Sequence, residues 1–380
     1  MLKRAGIASL LLLYTCQTAL ANSEPPCNNE VDSAMFLADP QGSAWKWFAC
    51  LNKQTNDKAT WESFKPVEQV YLSNGEVPKS YDYIAPLPPE VISKAEEAKM
   101  NLNEIFHDIQ LKVQVDGLAL EMGSASPFPT TTLVRYQLLM NESTFDYINS
   151  KKVYNLNGIS ALQDDLNFPS SAWELKTSWL WIGQELEFRI ALQNDGYKIV
   201  QAYYLDDNNE YQVGYAALSG MHIINKTFSE DWIWATFENI NNSKYTITNG
   251  FPAQPMHNLT GPTELATKAN NTFQKEFASL GLSEYQLIGV QNGFVERPTN
   301  LLASSQMESA FQTKSSCVAC HQTAAYSNEK GFFSFALADN DGIAYPLEKI
   351  PDSDFTGYKK LDFVWSLKRA QWNRSQEGTN

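Results

Sequence analysis

The chain is poor in histidine and cysteine. It has four histidines and five cysteines in 380 residues, and beyond His321 there is no histidine, methionine or cysteine at all. It holds no HExxH pair, no glycine-rich phosphate loop and no Ser-His-Asp arrangement. Zinc-peptidase, P-loop and triad-hydrolase chemistry are thereby set aside. Asp339 to Gly342 is too short for a calcium loop and reads as a turn. Positive charge is also scarce, 29 Lys and Arg against 43 Asp and Glu, for a net −14. Such a surface repels nucleic acid and anionic lipid; it keeps a protein soluble or attracts a basic partner. No segment after the N-terminus has the length and apolarity of a membrane-spanning helix.

The N-terminus has a short apolar run, Ile7 to Tyr14, behind the basic start Met1-Leu2-Lys3-Arg4. With the small-x-small site Ala19-Leu20-Ala21, this predicts a secretory signal over residues 1–21 and a periplasmic address. Its removal would take the net charge to near −16. A lipoprotein anchored through Cys16 is the weaker reading, because Tyr14 and Thr15 suit a lipidation site poorly. In an oxidising compartment Cys27 and Cys50 form a disulfide or stay as separate buried thiols; spacing alone does not decide.

The remaining thiols carry the strongest signal, Cys317-Val318-Ala319-Cys320-His321. This is the attachment pattern of a c-type haem. Each sulfur adds to one vinyl group, and the next side chain lies under the ring as proximal iron ligand. The pattern predicts one covalent haem c on Cys317 and Cys320, with His321 on the iron. A thioredoxin-like CxxC needs a βαβ context, and the segment ahead reads as polar and helical. A structural zinc site needs four ligands, and no second CxxC exists.

With no His or Met after His321, a sixth ligand of the usual type comes from upstream, unless the position is open. His222, in Gly220-Met221-His222-Ile223-Ile224, is the leading candidate, and Met307, just before the motif, is the runner-up. His107 and His257 sit in polar surroundings and are expected to face solvent. Two imidazoles would give a lower potential than His and Met.

Ser43–Asn52 and Val91–His107 have helical periodicity, with a Pro-rich break at Ala85–Glu90 between them. Alternation and β-forming residues predict strands at Thr131–Leu139, Trp173–Ile182, Tyr197–Leu205, Tyr211–Ile224, Trp232–Ile240 and Tyr285–Val290. Trp232 and Trp234 then share one face, Ile233 and Ala235 the other. Leu265–Leu280 and Leu301–Phe311 read as helices. These elements predict an α+β fold: a central antiparallel sheet, flanking helices and a C-terminal haem-attachment segment. The expected division is signal 1–21, scaffold 22–300 and attachment segment 301–380, packed on the scaffold.

Several stretches resemble large, mostly uncharacterised bacterial periplasmic cytochrome c family proteins. They are Ser43 to Phe48, Trp61 to Lys65, Trp173 to Trp179, Gly220 to Ile223, Trp232 to Glu238, and Met307 with Glu308 leading into the CxxCH. Family members often carry His after the Glu of WxWATFE, where this chain has Asn239. The resemblance implies a single covalent haem and a periplasmic location, and no substrate.

Two functions follow. One is an electron-transfer module working with a redox partner protein, which the acidic surface suggests is basic. The other is a haem enzyme or small-ligand binder, peroxidase-like, with an open sixth position. A chain this long devotes much more than a minimal domain to one haem. Glu174, Lys176 and Glu238 interrupt Trp-rich strands and are possible acid–base partners, although alternating strands usually turn such residues to water. The sequence names no catalytic residue.

Overall fold

The computed structural model describes residues 27, 30–55, 58–112, 120–123, 132–227, 232–248, 252–294, 301–334, 337–339, 342–344 and 347–374. The proposed signal lies outside them. Eight strands build one sheet: β1 Lys65–Pro66, β2 Phe106–Asp108, β3 Arg135–Met140, β4 Trp173–Gly183, β5 Ile199–Leu205, β6 Tyr211–Asn225, β7 Ile233–Asn239 and β8 Tyr285–Asn292. Their spatial order is β8-β7-β6-β4-β3-β1. The long β6 borders β4 on one side; on the other, its first half holds β5 and its second half β7. The pairings are antiparallel except that of β2, which joins β5 in parallel. The fold is α+β with a central antiparallel sheet.

Four helices matter below: α1 Pro40–Asn52, α2 Pro89–Glu97, α3 Glu264–Glu276 and α4 Cys317–His321. Proline opens α1, where its missing N–H costs nothing, and the Asp39 side chain caps Gly42 N–H at 2.9 Å. Thr263 caps α3 through Ala266 N–H. Cys27 and Cys50 are joined in a disulfide, fastening the N-terminal segment to α1.

Strand alternation separates two buried faces. One bears Leu175, Met221, Ile223, Ile233, Ala235 and Phe237, which pack with Trp45, Trp47 and Phe48 of α1. Here β8 bulges opposite Thr236 and Phe237. Asn270 of α3 mends the gap: its amide bonds both Leu287 N–H and Leu287 C=O and accepts Trp45 Nε1–H at 2.9 Å. The other face bears Ile224, Trp232 and Trp234, covered by Cys317, Val318, Val364 and Leu367 of the C-terminal segment.

Two expected helices are cut back. The 91–107 helix stops at Glu97: Lys99 turns left-handed (φ 55°), and Asn101 takes Asn103 N–H on its side chain. The chain then enters β2 with His107. Residues 301–311 form turns, because side chains claim the backbone. Ser304 N–H goes to Glu308, Gln306 N–H to Ser304 Oγ, and Ser305 N–H to Glu238.

Candidate functional site

The sheet face beneath the C-terminal segment carries Glu174, Lys176 and His222. Register places Leu138, Lys176, His222 and Thr236 side by side across β3, β4, β6 and β7. The adjacent row holds Glu174, Ile224 and Trp234. Over these rows lie the turns 301–316, the one-turn α4 and the 3₁₀ turn Trp365–Arg369. Between sheet and cover is a cavity of about 350 Å³, walled by Cys317, Cys320, His321, His222 and Met307 together with Glu174, Lys176, Glu308 and Arg369. The sheet, the 301–316 turns and α4 thus bring together the CxxCH residues and both candidate sixth ligands, His222 and Met307.

Cys317 and Cys320 are buried and outside any disulfide. Burial pushes the Cys317 thiol well above its ordinary value and Cys320 up to about 12. A reactive redox CxxC has a depressed thiol pKa, so this environment does not suit dithiol exchange. Next to them, His321 Nδ1 lies 2.8 Å from Phe363 C=O. A carbonyl only accepts, so Nδ1 carries the proton and the lone pair is on Nε2. Burial lowers the ring's pKa to about 4, which keeps it a neutral imidazole at neutral pH. Trp234 packs against it, with ring centroids 5.7 Å apart.

On the sheet wall His222 is 6% exposed, and its Nε2 makes no hydrogen bond. Glu308 Oε2 stands 3.4 Å away, an ion-pair distance beyond good hydrogen-bond geometry. Burial pushes the Glu308 carboxyl up, but His222, Lys176 and the Ser304 N–H outweigh it and hold the carboxyl below its ordinary value. Met307 is buried on a turn and reaches over Gly220, where an added Cβ would stand 3.4 Å from its Cε.

Glu174 and Glu238 do not face water. Alternation turns them away from α1, onto the face that the C-terminal segment covers. Glu174 accepts a 2.6 Å bond from Ser366 Oγ, and Ser366 meets Tyr71 OH at 3.0 Å. Glu238 lies under Ser304 and Ser305. Burial raises both carboxyls to about 7. Lys176 is half-buried on the cavity wall, 5.6 Å over the Tyr136 ring. His107, expected in solvent, is buried between Trp61 and Trp179, with Nε2 2.9 Å from Glu62 Oε1. It does not wall this cavity. His257 is exposed, as expected.

Glu308, Ser366, Arg369 and Phe363 were not singled out by the sequence reading. Glu308 alone left a trace, as the charge beside Met307; the others reach the site only through tertiary packing. The set is compatible with the haem expected from CxxCH: two thiols outside any disulfide, one imidazole with its Nε2 lone pair available, and on the same cavity a second imidazole whose Nε2 stands 3.4 Å from Glu308. Among the described residues, no cluster of three or more His, Cys, Asp or Glu is arranged to hold a metal ion directly, and no helix is long and apolar enough to cross a membrane. Comparison with known protein families, curated proteins and solved structures finds no match.

Proposed function

We propose that this chain is a periplasmic c-type cytochrome, holding one covalent haem and passing single electrons to and from a partner protein. The observation that carries this reading is the shared cavity of the CxxCH thiols, the His321 imidazole and the buried His222 imidazole. Cys317 and Cys320 would hold the group through thioether bonds and His321 Nε2 would be the proximal ligand. His222 is the candidate sixth ligand, with Met307 behind it. A haem so held supplies a reversible one-electron couple. The chain's own part is to bury the couple, fix both imidazoles on rigid elements and keep bulk water from the wall. The resemblance to bacterial periplasmic cytochrome c family proteins and the signal-like N-terminus support the same reading. The charge of −14 favours docking of a basic redox partner.

A second reading, a haem enzyme or small-ligand binder, has one observation in its favour. Glu174, Lys176 and Arg369 give the same cavity a set of acid and base groups. Absorption spectra of the purified holoprotein in both oxidation states, with and without cyanide, separate the two. A carrier is low-spin and indifferent to cyanide, whereas a catalyst is at least partly high-spin and binds it. Cys317→Ala/Cys320→Ala should lose covalently bound porphyrin by mass. Retention in that variant, or a colourless native protein from haem-replete cells, overturns the proposal.

A further inference from the structure

The carbonyl that orients His321 comes from an unusual stretch of backbone. Asp362 and Phe363 are both left-handed, with φ of 51° and 64°, and neither is glycine. Each such residue costs on the order of 1 kcal/mol or more and persists only where its surroundings force it. Here the surroundings do. Asp362 Oδ2 accepts Phe168 N–H at 2.6 Å and Lys226 Nζ at 2.7 Å. The same ammonium bonds Asn167 Oδ1 at 2.5 Å. The ion pair is buried, its side chains 5% and 9% exposed. Lys226 directly follows β6, the strand of His222, and its own N–H is tied to Ala172 C=O at 3.1 Å. The Phe363 ring is pinned in turn against Trp234, at 5.9 Å.

A buried ion pair is a weak stabiliser, since desolvation consumes most of its attraction. A strained turn beside it adds to the cost. What the combination secures is the direction of one carbonyl, at 2.8 Å from His321 Nδ1.

We infer that Lys226 and Asp362 are positioning residues: they lock the Phe363 carbonyl onto the His321 N–H and thereby set the electron donation of the opposite ring nitrogen. The inference rests on the proposed haem. A firm acceptor on Nδ1–H makes Nε2 a stronger donor, which favours oxidised iron and lowers the reduction potential. Releasing the clasp should therefore raise it.

Asp362→Gly removes the carboxylate while tolerating the left-handed backbone, and Lys226→Gln is the milder second variant that keeps a hydrogen-bonding head. Both are made in the full-length holoprotein. Porphyrin attachment is read by mass, the midpoint potential by titration, and the iron–imidazole stretch of ligand-free or photolysed ferrous protein by resonance Raman. Expected are unchanged covalent porphyrin, a lower stretching frequency and a tenfold or greater shift toward the reduced form, about 59 mV for one electron. An unchanged potential and stretch, with only a lower unfolding midpoint, would reduce the clasp to a structural role and overturn the inference while the haem reading stands. Wild-type protein without covalent porphyrin overturns both.

Discussion

Replacing Glu238 by glutamine should stabilise the protein by an amount that grows with pH. Glu238 lies on β7, 3% exposed, and fastens the turns that carry Met307 and Glu308 over the cavity. Burial raises its carboxyl from 4.5 to about 7, against the opposing pull of bonds from Ser305, Asn258 and Ser304. The folded chain therefore binds a proton that the unfolded chain has lost between pH 4.5 and 7. Wild-type stability falls as pH rises through that window. At 1.36 kcal/mol per pKa unit, the penalty from this one group is about 1 kcal/mol at pH 5 and about 3 kcal/mol at pH 8. The amide introduced by Glu238→Gln keeps an acceptor oxygen for Ser305 and never ionises, so the variant escapes that penalty. Urea denaturation of both proteins from pH 5 to 8 measures the gap. Any constant repacking cost shifts the whole curve; the widening is the signal. Glu68 and Glu174, both also raised to about 7 by burial, leave a residual slope in the variant. Stabilities of wild type and E238Q running parallel across the range would refute the reasoning.

His222→Ala should turn a low-spin holoprotein high-spin and open it to cyanide, while Met307→Leu should leave the spectrum unchanged; the reverse pattern would make Met307 the sixth ligand. Lys65→Met should destabilise by about 2–4 kcal/mol, because the buried ammonium donates to three carbonyls, Ser80, Tyr81 and Tyr83, each at 3.0 Å. Denaturation midpoints check this, and a loss under about 1 kcal/mol would show that water takes over those carbonyls.

The sheet was legible wherever alternation was long: β4, β5, β6, β7 and β8 stand within one or two residues of their predicted bounds. Trp232 and Trp234 share a face, as the pattern required. What failed was decided by side chains acting on nearby backbone. Ser304, Ser305 and Glu308 unmake a helix whose apolar spacing looked sound, and Asn101 and Asn103 do the same after α2. The outward reading of Glu174 and Glu238 failed for another reason: alternation separates two faces but does not say which meets water. That depends on the irregular C-terminal chain, which has little period to read. The CxxCH residues and His222 do meet on one cavity, because the motif has fixed spacing and His222 sits on a strand whose parity is unambiguous; Met307 joins them from a turn. The Lys226–Asp362 clasp joins positions 136 residues apart, and nothing local announces it.

The tail also packs directly against α4. Cys317 and Cys320 are 8% and 5% exposed, and the Trp365 indole already donates to the Cys320 carbonyl at 3.2 Å. Both thiols wall the cavity, and Trp365 belongs to the turn that borders it from the tail side. If a macrocycle is joined to those sulfurs as proposed, it would have to share the cavity with the turn that covers them, so the added group would itself become part of what the tail packs against.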